Sequence, residues 1–207
     1  MNDEVPGLSP AEGRLLLDLA RQSIARAAAR GPSGVLTDAE RAELPPALLR
    51  PAAAFVTLKT VEGGVERLRG CIGLMEPDRP LADAVVGMAA QAATGDPRFL
   101  PVTPDEVTGL RISLSVLRPT RPLERLDDLV LGRMGIVLER DGRRAVFLPQ
   151  VAVETGWDRD RLLGELARKA GLPADAWRTA RLSVFETEAV AEPRTAQSSG
   201  GSNVSTY

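Results

Sequence analysis

The chain contains one cysteine, Cys71, which lies in the segment RLRGCIGLMEP (residues 67 to 77) between two glycines and close to two arginines. A cysteine acts as a nucleophile, an acid or a redox group when a nearby cation favours its thiolate. If the segment is a strand, Arg67, Arg69 and Cys71 point to one face, because side chains alternate along a strand. This spacing predicts a thiol supported by two guanidinium groups.

The same alternation places Leu68 and Ile72 on the opposite face. Gly70 and Gly73 carry no side chains, so they would let a ligand or another backbone approach closely, or they mark a bulge. We therefore treat both glycines as candidate ligand-binding residues. The alternative is structural, because free cysteine is often buried and Cys71 between two glycines would fill a tight space.

Three further polar residues belong to the candidate site. Asp96 and Arg98 follow a predicted helix, and Arg98, like Arg69, can hold a carboxylate or phosphate through two hydrogen bonds. The alternative is that Asp96 caps the turn and pairs with Arg98 on the surface. Gln150 follows Pro149 at the end of a predicted strand and offers both a donor and an acceptor to a ligand. Its alternative role is to form hydrogen bonds with backbone groups of the loop.

The composition excludes several kinds of chemistry. The chain has no histidine and one cysteine, which removes Cys–His and Ser–His dyads and zinc sites built from several such ligands. It also lacks a D-x-D-x-D-G loop for calcium or magnesium. We therefore predict no bound metal and no cofactor. A base for a nucleophilic Cys71 has to be a carboxylate, Lys59 or water.

The charge balance bears on possible partners. A formal net charge of -2 and 3% aromatic residues give neither the basic surface nor the stacking side chains of most nucleic-acid-binding proteins. No apolar run reaches the roughly 18 to 20 residues that span a bilayer. A single cysteine cannot form an intramolecular disulfide, and the first residues lack the pattern of a secretory signal. We expect a cytoplasmic protein that binds neither nucleic acid nor membrane.

The predicted elements that position these residues are typical of an α+β fold. They are a helix from Pro10 to Arg30, a hairpin of strands 53–61 and 65–73, a helix from Leu81 that stops at Gly95, a strand 110–117, a hairpin of strands 135–140 and 143–148, a helix from Asp158 to near Gly171, and a strand 181–190. Helices and strands do not alternate as in βαβ units. We expect one domain over residues 1–190 and, because apolar periodicity ends there, a disordered tail over residues 191–207.

Six short runs resemble the AMMECR domain family. They are FVTL (55–58), LRGCIG (68–73), PL (80–81), DPRF (96–99), LPQVA (148–152) and GWD (156–158). The resemblance covers residues 10 to 190. It implies a single, largely antiparallel, barrel-like sheet with flanking helices, built from two similar β-rich halves.

Bacterial and archaeal members of that family are commonly called protein A of the AmmeMemoRadiSam system. The name implies association with a Memo-like protein and a radical SAM protein, and the resemblance leaves the biochemical activity open. Two hypotheses follow. The first is a binding or accessory component that uses the LRGCIG segment to hold a partner or a small anionic ligand. The second is an enzyme in which Cys71 is catalytic and Arg69 and Arg98 neutralise a small anionic substrate.

Overall fold

The computed structural model describes residues 7–31 and 34–193. Its helices are α1 (Pro10–Arg30), α2 (Asp38–Ala42), α3 (Leu81–Thr94), α4 (Pro149–Thr155) and α5 (Arg159–Lys169). Its strands are β1 (Ala54–Glu62), β2 (Val65–Leu74), β3 (Leu110–Leu117), β4 (Arg121–Pro122), β5 (Met134–Arg140), β6 (Arg143–Phe147) and β7 (Arg181–Ala191). Single 3₁₀ turns cover Pro46–Leu49, Pro104–Gly109, Leu126–Asp128 and Ala176–Thr179.

Helices α1 and α5 begin where their capping residues predict. The Ser9 hydroxyl accepts a hydrogen bond from the Glu12 amide at 3.2 Å, and the Glu12 carboxylate accepts one from the Ser9 amide at 2.8 Å. This reciprocal pair satisfies two of the amides that the first turn of a helix leaves open. Helix α1 ends at Gly31, whose φ of 86° favours glycine. Asp158 caps α5 in the same way by accepting from the Arg161 amide.

The strands form one antiparallel sheet in the order β2-β1-β3-β7-β5-β6, with the short β4 paired to β7. The sheet curls into half a barrel, and the expected α+β fold is confirmed. β2 and β6 are its two edge strands. Glu76, just beyond β2, accepts a hydrogen bond from Arg144 of β6, and Met75 and Val146 contact one apolar cluster. The two edges therefore approach each other.

Two hydrophobic cores lie between the sheet and its helices. The first packs α1 and α3 against β1 and β3, with Leu16, Ile24, Val85, Val56 and Ile112 among its fully buried members. The second packs α5 against β5 and β7, with Leu163, Leu166, Ile136, Leu138 and Val184 among its members. The helices thus cover one face of each half. Most of the other face of β1 and β2 lies outside these two cores.

The two halves share a packing device on that other face. Phe55 pairs with Gly73, and a Cβ on Gly73 would lie 2.1 Å from the Phe55 ring. Phe185 pairs with Gly135, and a Cβ there would lie 2.2 Å from the Phe185 ring. An aromatic side chain therefore lies over a cross-strand glycine in each half. Both rings contact the third apolar cluster, in which the two halves meet.

The local structure of β2 differs from the expected uniform alternation. The β1–β2 register shifts between Leu58, which pairs with Gly70, and Lys59, which pairs with Leu68. Arg69 is the extra residue of a β-bulge, which reverses the facing of the residues before it. Leu68 therefore shares the face of Lys59 and is 42% exposed. The prediction that Leu68 and Ile72 share one face is wrong.

The ordered chain continues past the expected end of the domain. Ala191 is the last residue of β7. Glu192 accepts hydrogen bonds from the Arg21 guanidinium at 2.6 and 2.8 Å and from the Ile112 amide at 2.9 Å. These contacts hold Glu192 against α1 and β3. The rest of the predicted tail, residues 194–207, lies outside the described residues.

Gly70 and Gly87 offer a matched test of how closely β2 and α3 pack. A Cβ on Gly70 would lie 2.2 Å from the Ala92 carbonyl oxygen, whereas the nearest atom to one on Gly87 is 3.8 Å away. We expect Gly70→Ala to lower the free energy of unfolding by at least about 2 kcal/mol. Gly87→Ala, in the middle of α3, should raise it by about 0.5–1 kcal/mol. Urea denaturation measures both, and equal effects would contradict this packing.

Candidate functional site

Cys71 lies on the open face of edge strand β2 and is half-buried. It pairs with Thr57, which in turn pairs with Ser113 of β3. The Thr57 hydroxyl lies 3.3 Å from the Cys71 sulfur. All three residues are half-buried and point away from the core of α1 and α3, because Val56, Leu58 and Ile112 occupy the alternate positions. We call the row Thr57, Cys71 and Ser113, with its neighbour Ser115, the inner surface.

Asp96 and Arg98 fix the backbone of β2 at Cys71. The Asp96 carboxylate accepts a hydrogen bond from the Cys71 amide at 2.8 Å, and the Arg98 guanidinium donates one to the Cys71 carbonyl at 3.2 Å. Arg98 also donates to both Asp96 oxygens, at 2.9 and 2.7 Å. The amide and the carbonyl of Cys71 lie at the edge of the sheet, where a neighbouring strand could pair with them. Both groups form hydrogen bonds with the two side chains instead.

This ion pair is asymmetric in burial. The Asp96 side chain is 2% exposed, and that of Arg98 is 54% exposed. The hydrogen bond from Arg98, with help from the Cys71 amide, lowers the pKa of Asp96 against the opposing effect of burial. Asp96 is therefore ionised, and its partner remains accessible to solvent. Asp96 pairs with Arg98, but through a buried carboxylate and not on the surface as the alternative had it. Ligand binding by Asp96 or Arg98 stays a prediction.

Arg69 does not share the face of Cys71, so that expectation is wrong. The bulge turns Arg69 toward the segment that follows α3, where its guanidinium donates to both oxygens of Glu106, at 2.8 and 3.1 Å. It also donates to the Leu100 carbonyl at 2.9 Å, and the Arg69 side chain is only 15% exposed. The hydrogen bond from Arg69 lowers the pKa of Glu106 to about 2. These contacts give Arg69 a structural role, and its role in ligand binding stays a prediction.

Close packing explains why glycines occupy positions 70 and 73. Gly70 leaves room for the Ala92 carbonyl oxygen of α3, and Gly73 leaves room for the Phe55 ring. In both cases a neighbouring protein group already makes the close approach that we assigned to a ligand. Binding of a ligand by these glycines stays a prediction.

Lys169 is a component of the site that the sequence did not indicate. Its ammonium donates to the Val146 carbonyl at 2.9 Å and lies 5.0 Å from the centre of the Phe147 ring. Partial burial of the ammonium lowers the pKa of Lys169, Cys71 opposes this shift, and Arg98 adds to it. The three groups therefore lie within electrostatic range of one another. Lys169 ends α5, and only the curl of the sheet brings it toward β2.

Gln150 lies in a helix, which corrects the prediction that it follows a strand. Pro149 and Gln150 form the first turn of α4, a helix that the sequence analysis did not include. Its side-chain nitrogen lies 3.3 Å from the Ser115 hydroxyl, so Gln150 reaches the inner surface. Its Oε1 atom is buried and has no hydrogen-bond partner among the described residues. A buried acceptor in this state favours a donor supplied from outside the chain.

A second group of charges borders the inner surface. Lys59 donates to Glu66 at 3.2 Å, and Arg111 donates to the other oxygen of Glu66. Lys59 and Arg111 face each other on β1 and β3, one position along from Thr57 and Ser113 on the same face. Lys59 and Arg111 thus share one carboxylate at one end of the inner surface. Lys169 adds a cation at the other end of the inner surface. The charges around the inner surface favour an anion.

Two searches of residues 7–31 and 34–193 bear on the predicted absence of metal and membrane partners. No group of three or more His, Cys, Asp or Glu side chains is placed to hold a metal ion. No helix in the same ranges is both long and apolar enough to cross a bilayer.

Comparisons with known proteins agree with this fold. The AMMECR1 family model matches residues 17–190. A protein of Methanopyrus kandleri is 39% identical over 188 residues, which cover 86% of this chain and 86% of that protein. A protein of Methanothermobacter thermautotrophicus is 39% identical over 188 residues, covering 88% and 94%.

A solved structure extends the agreement to three dimensions. The crystal structure of an uncharacterized protein from Pyrococcus horikoshii superimposes with a TM-score of 0.78 at 34% identity, and covers 88% of this chain and 92% of that chain. The fold is therefore shared by an archaeal relative. This α+β half-barrel chain belongs to the AMMECR1 family, as the six sequence runs indicated.

The charge near Cys71 can be measured with two alkylating reagents, because the chain has no other cysteine to compete. We expect anionic iodoacetate to gain rate relative to neutral iodoacetamide. Lys169→Met should lower the ratio of the two rates by about threefold at low salt, the effect of a nearby charge worth about 0.7 kcal/mol. Lys169→Arg, which retains the charge, is the control. Intact mass spectrometry gives both rates, and an unchanged ratio in Lys169→Met would remove Lys169 from the site.

Proposed function

We propose that this protein is a cytoplasmic binding or accessory component that works with a Memo-like protein and a radical SAM protein through the LRGCIG segment and the inner surface beside it. The partners follow from the resemblance to the AMMECR domain family. The geometry supports a narrower statement, which is that the inner surface binds a small anionic group, carried either by a free ligand or by a partner.

One observation carries the proposal. An open sheet face presents small polar groups, Thr57, Cys71 and Ser113, between two sets of cations. The hydroxyls and the thiol are short, half-buried side chains. Lys169 and Arg98 favour negative charge beside them.

The backbone of the segment is also held rigidly. Asp96 and Arg98 fix both edge groups of Cys71, and the Ala92 carbonyl packs directly on Gly70. A preorganised surface loses less conformational entropy on binding than a mobile loop. The LRGCIG segment is therefore suited to recognition, with Cys71 as the small half-buried side chain at its centre.

Complex formation tests the partner part of the proposal. The purified chain is mixed with the Memo-like and radical SAM proteins of its own organism, and complexes are measured by size-exclusion chromatography with light scattering. Thr57→Arg, which places a long side chain on the inner surface, should weaken the complex at least tenfold. Thr108→Arg is the matched control, because Thr108 is exposed on the segment before β3. A complex that tolerates Thr57→Arg as well as Thr108→Arg would contradict the proposed surface.

A second candidate is an enzyme in which Cys71 acts on a small anionic substrate. The observation that favours it is Lys169, whose pKa is lowered by burial within electrostatic range of the thiol. A lowered lysine pKa raises the fraction of neutral amine that can accept a proton. It could serve as the base that the missing histidine would otherwise provide.

Two substitutions at Cys71 separate these candidates. Cys71→Ala and Cys71→Ser both remove the thiol with little change in volume, and neither leaves a buried charge. If the protein is a binding component, the assembled system keeps its activity within about twofold in both variants. A loss of more than a hundredfold in both, with the complex intact, would favour catalysis by Cys71.

A further inference from the structure

A cavity of about 420 Å³ lies at the ends of the central strands. Its wall is mostly apolar and includes Leu8, Ala47, Met75, Leu81, Leu117 and Pro119. The volume falls within the range of about 300–1,000 Å³ that is typical of small-molecule sites. None of the residues of the inner surface lines it, so the cavity is a separate feature of the fold.

Backbone hydrogen bonds hold the wall in place. The Leu81 amide donates to the Arg50 carbonyl at 2.9 Å, and the Leu117 amide donates to the Ala53 carbonyl at 2.9 Å. The Ala52 amide donates to the Arg79 carbonyl at 3.3 Å. The segment before β1, the start of α3 and the end of β3 are therefore tied together.

Three carboxylates and three guanidiniums border the cavity, so the position of an unpaired cation, and not the net charge of the wall, can favour an anion. Each acidic residue on the wall already accepts a hydrogen bond, Glu12 from Ser9, Glu76 from Arg144, and Glu188 from Leu8. Arg50 differs, because its guanidinium has no hydrogen bond or ion pair within residues 7–31 and 34–193. One cation at the cavity therefore lacks an anionic partner in the described chain.

The N-terminus of α3 places a second positive group close to Arg50. Leu81, the first residue of the 14-residue α3, lines the cavity. Its N-cap residue is Pro80, which offers no side-chain acceptor to the amides of the first turn. The positive end of the helix dipole therefore lies beside an apolar space that Arg50 also borders.

We propose that this cavity binds a small amphipathic monocarboxylate, with its apolar body against Met75, Leu81 and Leu117 and its carboxylate on Arg50. A guanidinium holds a carboxylate through two parallel hydrogen bonds, which suits the single uncompensated cation. A dianion would require a second uncompensated charge. The apolar lining requires a ligand with a hydrocarbon or aromatic body rather than a small hydrophilic acid.

Fluorescence of anilinonaphthalene sulfonate, an amphipathic monoanion, tests the site in the folded chain, with octanoate and octanol as competitors. We expect one saturable site from which octanoate displaces the dye at a concentration about fivefold lower than octanol does. Arg50→Gln should remove this advantage of octanoate. Arg14→Gln, an exposed arginine on α1, should leave it unchanged.

A filling substitution provides a second, independent arm. Ala47→Phe places a ring in the cavity from a half-buried position on a short 3₁₀ turn, and should abolish dye binding. If Ala47→Phe lacks a cooperative thermal transition, the variant is not folded. The Arg50→Gln result alone then decides whether the cavity binds the ligand. Absence of saturable binding, or binding that Arg50→Gln and Ala47→Phe leave unchanged, would overturn the proposal. Dye binding that is lost in Lys169→Met but retained in Arg50→Gln would also overturn it, because it would place the ligand on the inner surface.

Discussion

The buried carboxylate of Asp96 is the contact on which the arrangement around Cys71 depends. It accepts hydrogen bonds from the Cys71 amide and from the backbone and side chain of Arg98. Burial of an ionised carboxylate is costly unless its oxygens are hydrogen-bonded and a cation lies close. Both conditions are met here, so Asp96 connects the end of α3 to the edge of the sheet at one fixed position.

This contact also explains how an edge strand carries an open polar surface. Unpaired strand edges attract further strands, and proteins commonly block them with charged side chains. Asp96 and Arg98 occupy the edge of β2 at Cys71, while the side chain of Cys71 remains on the face of Thr57 and Ser113. The backbone of the segment is thus closed to other strands, and its side-chain face remains open to a ligand.

The sequence predicted the helices and hairpins well because their signals are local. Capping residues such as Ser9 and Asp158 and the Asp141-Gly142 turn, with φ of 51° and 72°, depend only on near neighbours. The sequence left open a bulge at Gly70 or Gly73, but it could not place the extra residue at Arg69, because a bulge is defined by the register against another strand. One inserted residue moved Arg69 to the helix side and Leu68 to the open face.

The candidate site was only partly predictable for the same reason. Cys71, Asp96 and Arg98 lie within 28 residues of one another in the sequence. They belong to two of the short runs that indicated the family, LRGCIG and DPRF. Lys169 and the buried acceptor of Gln150 come from the other half of the sheet. Only the curl that brings β6 toward β2 places them beside the inner surface, and no local pattern encodes that curl.

Hydrogen exchange at the Cys71 amide tests the central claim most directly, because this amide has a carboxylate partner in place of a strand. The account predicts slow exchange of the Cys71 amide in the native protein. It also predicts a large, selective acceleration in Asp96→Ala, with the Val56 amide in the centre of the sheet still protected. Exchange at Cys71 as fast as that of an unpaired edge amide in the native protein would contradict the account.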